Sequence, residues 1–234
     1  MYSNSLPGIA LITLIFGLSG CHDPHEDIYY DRGHVSSGVL QYIDYTFAPY
    51  ETYRIELNTY SGDADVAVYN EYGELVVFSD EYSIRTDEVI FTAAGHNYQI
   101  EIYGSLDSDY DLYIEKLPYY DTGLYTDADV IKFNIDSNAF TGDYYFTLAT
   151  KSFKVSHEYD SLSITPSPDL IWLDVNPTGT IYNSSDKNTS VFVNILETAS
   201  PSDTNFTSLI VRAEDYHGKV NVFKEVDIIY HIIN

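Results

Sequence analysis

The chain has 234 residues and carries 36 Asp and Glu against 11 Lys and Arg, a formal net charge of −25, which speaks against nucleic acid as a partner because such a surface repels phosphate. The acid is spread along the chain, 20 acidic to 4 basic residues over 22–120 and 16 to 7 from 121 onward, and reads either as a means of staying soluble or as a means of holding cations. Aromatic residues make up 15% of the sequence, and 24 tyrosines stand against one tryptophan, so the apolar material is largely amphipathic rings that favour sheets.

Residues 6–20 form an apolar run that is too short to cross a bilayer as a helix of about 20 residues, and 1–20 read as a signal peptide, although 1–5 lack the usual basic residue. The run ends in Leu18-Ser19-Gly20-Cys21, which resembles the lipobox of bacterial lipoproteins. Small residues before the cysteine let a peptidase grip extended backbone, and the thiol accepts a diacylglyceryl group. The resemblance implies cleavage before Cys21, lipidation at Cys21 and anchoring in a bacterial cell envelope, since several acyl chains together hold firmly where one is marginal. His22 follows Cys21 where an Asp would imply retention in the inner membrane, so the outer membrane is the expected location. Cys21 is the only cysteine, which excludes an intramolecular disulfide. The polar stretch after it predicts a tether, taken as 21–34.

Residues 35–118 carry strand signals at short intervals with no helical period. In 52–59, Tyr53, Ile55 and Leu57 share one face; Tyr98, Ile100 and Ile102 repeat the pattern, and Tyr110, Leu112 and Ile114 do so again. Asn70-Glu71-Tyr72-Gly73 and Ala94-Gly95 supply turns. The order 43–47, 53–57, Gly62-Asp63-Ala64-Asp65 opening an alternating strand to Tyr69, 88–91, 98–103 and Asp109-Tyr110-Asp111-Leu112-Tyr113 resembles the bacterial pre-peptidase C-terminal (PPC) domain. That resemblance implies a non-catalytic β-sandwich of jelly-roll type, here without the peptidase it often accompanies. Asp63 and Asp65 lie two apart, as do Asp107, Asp109 and Asp111. On strands, that spacing puts carboxylates on one face. Two readings stay open: Asp63, Asp65 and Asp109 as a candidate calcium site, because calcium takes six to eight oxygens and collagen-binding relatives of the fold use it, or aspartates that cap turns.

Residues 118–123, with Pro118 and Gly123, predict a linker. Beyond it, 122–234 show seven or so strand signals at 130–135, 144–150, 161–165, 171–175, 190–195, 207–213 and 220–229, which predict an immunoglobulin-like sandwich with Trp172 at the centre of its core. Trp172-Leu173, Pro177 and Gly179 followed by alternating strands resemble the BACON type of immunoglobulin-like domain, which implies a binding or spacing module of bacterial surface systems. The expected fold is therefore all-β, with two tandem β-sandwiches after a lipoprotein signal peptide.

The chemistry of an enzyme needs a nucleophile with its base, a carboxylate pair in a cleft or a metal triad. His25-Glu26 and His157-Glu158 begin a zincin-like pattern but lack the second histidine, and there is no Gly-x-Ser-x-Gly elbow. The sequence thus reads as a non-catalytic envelope lipoprotein that binds a protein or polysaccharide, with no cofactor beyond the candidate calcium. Tyr103 and Tyr113, on outward strand faces, serve as contacts or as cross-strand pairs. A structural spacer and a cryptic hydrolase are the competing readings.

Overall fold

A computed structural model of the chain describes residues 28–82, 85–140, 147–167, 172–182, 187–196 and 204–233; Cys21 and residues 1–20, expected to be a signal peptide, lie outside them. The described residues are all-β apart from two single-turn 3-10 helices. The first half forms eight strands: β1 Ile28–Val35, β2 Val39–Thr46, β3 Thr52–Ser61, β4 Ala64–Asn70, β5 Leu75–Ser79, β6 Thr86–Thr92, β7 Asn97–Gly104 and β8 Ser108–Leu117. They pair in the orders β1-β8-β3-β6 and β2-β7-β4-β5. This is the double Greek key of a jelly roll. The alternation read from the sequence sets the faces: Tyr53, Ile55, Leu57, Tyr98, Ile100, Ile102, Tyr110, Leu112 and Ile114 are all buried in one core. At its centre Phe47 packs against the rings of Tyr45, Tyr53, Phe91 and Tyr98 with centroids 4.5, 4.6, 5.0 and 5.3 Å away. Each such pair contributes about 0.5–1.5 kcal/mol beyond the area it buries.

The second half continues with β9 Leu124–Thr126, β10 Val130–Asp136, β11 Thr147–His157, β12 Ser161–Ser167, β13 Leu173–Asn176, β14 Gly179–Tyr182, β15 Asn188–Leu196, β16 Thr204–Glu214 and β17 Val220–Ile233. One sheet runs β13-β15-β11-β9, and the other runs β17-β16-β12-β14 with β10 lying parallel on the free side of β17. That arrangement is an immunoglobulin-like sandwich. Trp172 sits in the turn before β13 rather than in a strand; it is 8% exposed and meets the Tyr230 ring edge-on at 5.0 Å.

One expectation is corrected. Residues 28–34, read as tether, are most of β1, which pairs antiparallel with β8 from Ile28 opposite Glu115 to Val35 opposite Ser108. The segment is polar because its side chains bond across to β8: the Arg32 guanidinium donates to Asp111 at 2.7 and 3.1 Å, and His34 Nδ1 meets Asp109 at 2.9 Å. The connection at 118–123 lies between β8 and β9 and is held as a turn. Tyr119–Asp121 form a 3-10 helix, Thr122 is buried, and its carbonyl accepts from Tyr159 Oη at 2.7 Å.

The sandwiches share a sheet. Val220 and Asn221 at the start of β17 pair in parallel with Ile90 and Phe91 of β6, so nine strands run without interruption through both halves. Ile90 N–H donates to the Lys219 carbonyl at 2.9 Å and Phe78 N–H to that of Gly218 at 3.1 Å. Ile90 also packs against the second core. Lys219 closes the contact by an ion pair with Glu81.

Candidate functional site

β17 is flanked on one side by β6 as far as Asn221 and by β10 only from Asp227. Between them, residues 222–226 have no strand on that side among the described residues, while β16 pairs them on the other. The missing rungs open a groove of about 450 Å³ where the two sandwiches meet. Its walls carry Tyr50, Thr52 and Thr92 from the first half and Tyr119, Leu124, Asp129 and Val130 from the second; its floor carries Phe223, Lys224 and Glu225. On the open edge the Phe223 N–H donates to Thr92 Oγ1 at 3.1 Å. Thr92 Oγ1 in turn bonds Thr52 Oγ1 at 2.9 Å.

Tyr50 stands on the lip of this groove with φ 64°, the one positive-φ residue other than glycine among the described residues. It occupies the third position of a tight turn in which Glu51 N–H returns to the Ala48 carbonyl at 3.3 Å. Pro49 fits the second position of such a turn, and the third asks for Gly or Asn because a Cβ there is strained. The surroundings hold the strained conformer. Tyr50 N–H donates to Ala93 O at 2.7 Å, Ala93 N–H donates to Glu51 O at 2.9 Å, and Ala48 N–H donates to Tyr53 Oη at 3.0 Å. The ring that results is 64% exposed, with the Phe223 ring edge-on to it at 6.2 Å. A strained residue over-determined by its neighbours marks a functional position more often than a structural one.

Across the groove, Lys224 Nζ lies 4.0 Å above the Tyr119 ring centroid and 2.5 Å from Asp129 Oδ1. Burial opposes the lysine's charge, but the bond to Asp129 and the contact with Tyr119 outweigh it and hold the pKa above the usual lysine range. Tyr119 Oη accepts from Thr126 N–H at 2.9 Å, which fixes the ring. The groove therefore offers the exposed Tyr50 ring beside Phe223, with the Lys224–Asp129 pair seated on Tyr119 and the carboxylates of Glu225 and Asp227 further along, a mixture of ring and charge that can orient a polar ligand. A hollow of about 560 Å³ lined by Glu81, Arg85, Glu88, Asp215 and Lys219 is less suited. It is lined by no aromatic ring, and its Glu81 is bonded to Lys219 and 3.9 Å from Arg85.

The aspartates singled out in the sequence do not converge. Asp63 is a turn clamp: its N–H donates to Ser108 Oγ at 2.7 Å and its carboxylate accepts from Ser105 Oγ at 2.6 Å. Asp109, on β8, is bonded to His34 and Ser61, whereas Asp65 projects from β4 in the opposing sheet. Asp111 is 2% exposed and accepts from Arg32, Tyr30 and Tyr60. Among the described residues no group of three His, Cys, Asp or Glu side chains is placed to hold a metal ion. The calcium expectation for Asp63, Asp65 and Asp109 thus lacks its geometry, because a spacing of two aligns carboxylates within a strand but cannot bring two sheets together. Tyr113 stacks with Tyr30 directly across β1 and β8, centroids 5.0 Å apart, the cross-strand pairing alternative. Tyr103 remains exposed. Tyr50 and the groove were not anticipated; the signal available was Pro49 followed by a bulky residue where such turns want glycine.

No family model matches the chain, and no curated protein matches it. Among solved structures, the chain is similar to the periplasmic chaperone SfaE over 48% of its length and 59% of the chaperone's, at 10% identity and a TM-score of 0.35. It is similar to the Bacillus licheniformis lipase BlEst2 in propeptide form over 86% of its length and 40% of the lipase's, at 7% identity and 0.32. The CupB6 tip adhesin from Pseudomonas aeruginosa is similar over 88% of this chain and 98% of its own, at 6% identity and 0.29. Likenesses at this level carry no argument about function, and the fold is read from the chain's own strand order.

Proposed function

We propose that the chain is a non-catalytic module of a bacterial cell envelope, lipidated at Cys21, that binds a polysaccharide in the groove between its two sandwiches. The observation that carries this reading is Tyr50, whose backbone is held at φ 64° so that its ring stands open on the groove's lip. Polysaccharide fits better than a folded protein because the groove is small and sets the Tyr50 and Phe223 rings beside charged side chains, where a sugar ring can stack and be oriented by polar groups. The envelope location rests on the lipobox resemblance, and the likeness to PPC and BACON domains agrees with a surface role. The uninterrupted nine-stranded sheet favours a second reading, a rigid spacer holding another component at a fixed distance.

Affinity electrophoresis through gels cast with envelope and plant polysaccharides tests the proposal. At least one polysaccharide is expected to retard the chain, with about tenfold weaker retention in Tyr50→Ala and Phe223→Ala, the loss typical of one stacking contact. Retention that both variants keep would move binding elsewhere, and no retention by any glycan would leave the spacer reading. For the anchor, Cys21→Ser is expected to shift the chain from the membrane to the soluble fraction; an unchanged distribution overturns lipidation.

A further inference from the structure

On the outward face of the β2-β7-β4-β5 sheet the central strand β4 presents Asp65, Ala67 and Tyr69, while Ala64, Val66 and Val68 are buried beneath. Ala67 lies opposite Phe78 of β5 on one side and Glu101 of β7 on the other; Asp65 lies opposite Tyr103. A small residue ringed by large ones leaves a hollow, and one of about 270 Å³ sits there, lined by these side chains with Leu75 and Asp80 at its rim and no basic residue. Tyr69 Oη is 3.5 Å from Glu101 Oε1, which ties one ring to one carboxylate.

We propose that this hollow binds a quaternary ammonium head, with Ala67 as its floor, Phe78, Tyr69 and Tyr103 as aromatic walls, and Asp65 and Glu101 supplying negative charge. Ring faces attract a cation through their quadrupole, most strongly one that sheds its water easily. The carboxylates would hold any cation, but a quaternary head is weakly hydrated and gains more from the ring faces than a primary ammonium does, and so is favoured here. A further, buried carboxyl lies behind the hollow. Asp87 is 1% exposed, with Oδ1 accepting from Ser79 Oγ at 2.6 Å and from Glu81 N–H at 2.8 Å, and Oδ2 has no partner. Burial, then Asp87, Asp63 and Asp80, push the Asp65 carboxyl up to about 6, so a bound cation would relieve the repulsion among these carboxylates.

The test is calorimetric titration of the full chain at low ionic strength with choline, with its neutral isostere 3,3-dimethylbutan-1-ol, and with Nα-acetyl-lysine amide. Choline is expected to bind at least about tenfold more tightly than the isostere, the size of a partly desolvated cation–π and charge contribution. It is expected to bind more tightly than the lysine amide as well. Asp65→Asn is expected to lose most of the binding through charge, and Ala67→Leu to lose it by filling the floor without touching a charged group; thermal midpoints of both confirm folding. Equal binding of the isostere, tighter binding of the lysine amide, choline binding unchanged in Ala67→Leu, or no saturable choline binding would each overturn the proposal.

Discussion

Tyr50 sits where the backbone asks for glycine, and the cost of a Cβ in the left-handed region is about 1–2 kcal/mol. Tyr50→Gly removes that strain while also loosening the unfolded chain, whereas Tyr50→Ala keeps the strain and loses the ring. Denaturant unfolding is expected to find Tyr50→Gly more stable than Tyr50→Ala by about 1 kcal/mol, with polysaccharide retention lost in both. Equal stability of the two would mean that the turn is not strained. Asp65 makes a similar point through charge. Its carboxyl pKa is raised from an ordinary 3.8 to about 6, by burial first and by Asp87, Asp63 and Asp80 after it. The folded state therefore holds this proton more tightly than the unfolded state, so ionised Asp65 destabilises above pH 6 and the penalty fades as pH falls from 6 toward 4. Asp65→Asn is expected to gain about 1 kcal/mol at pH 7.5, discounted from the full linkage value because the side chain is partly exposed, and nothing at pH 4. Denaturant curves of the two proteins at both pH values check this; a gain independent of pH would assign it to something other than titration.

Strands whose inward residues are apolar could be read directly. The faces of β3, β7 and β8 follow from Tyr53-Ile55-Leu57, Tyr98-Ile100-Ile102 and Tyr110-Leu112-Ile114, because period-two alternation is a property of the segment alone. β1 could not be read this way. Tyr29, Asp31 and Gly33 alternate with Tyr30, Arg32 and His34, a polar pattern that becomes a strand only through its partner, where Arg32 meets Asp111 and His34 meets Asp109. Two of the three aspartates in the row 107–111, Asp109 among the candidate metal ligands, are consumed in that pairing. Gly33 has its own reason: a Cβ there would meet Tyr110 Oη and Cζ at 2.3 and 2.4 Å, and Tyr110 is fully buried. Gly33→Val forces β1 away from β8 or Tyr110 out of the core, and is expected to cost about 2–4 kcal/mol, the range of severe overpacking. Amide exchange over 28–35 is expected to quicken most. Protection there equal to the unaltered chain would show that β1 does not depend on the close approach to Tyr110.

The groove and the joint between the halves are properties of the whole molecule, and no local pattern announces them. Phe223 meets Thr92 across 131 residues of sequence, and Lys219 meets Glu81 across 138. A reading in chain order places the boundary at 118–123, where Pro118 and Gly123 interrupt the alternation, but it cannot show that this turn is pinned beside a shared sheet. The tip of the β16–β17 hairpin makes the joint. Gly218 has φ 76°, its carbonyl accepts from Phe78 N–H, and a Cβ on it would meet Phe78 Cε1 at 2.7 Å. Its neighbour Lys219 carries both the ion pair to Glu81 and the carbonyl that receives Ile90 N–H. Because β17 contributes to the second core while pairing with β6, loss of either half exposes apolar surface of the other, Ile90 among it. Calorimetric unfolding is therefore expected to show one transition, with calorimetric and van't Hoff enthalpies in agreement. Gly218→Val combines a β-branched side chain at positive φ with a clash on an aromatic ring, and it is expected to part the hairpin tip from β5 and β6. The single transition should then divide into two, and polysaccharide retention should fall even though no groove residue has changed, since Tyr50 and Phe223 would no longer face one another across a fixed joint. Two transitions in the unaltered chain would show the joint to be a hinge, and a single unshifted transition in Gly218→Val would show that the hairpin tip does not couple the sandwiches.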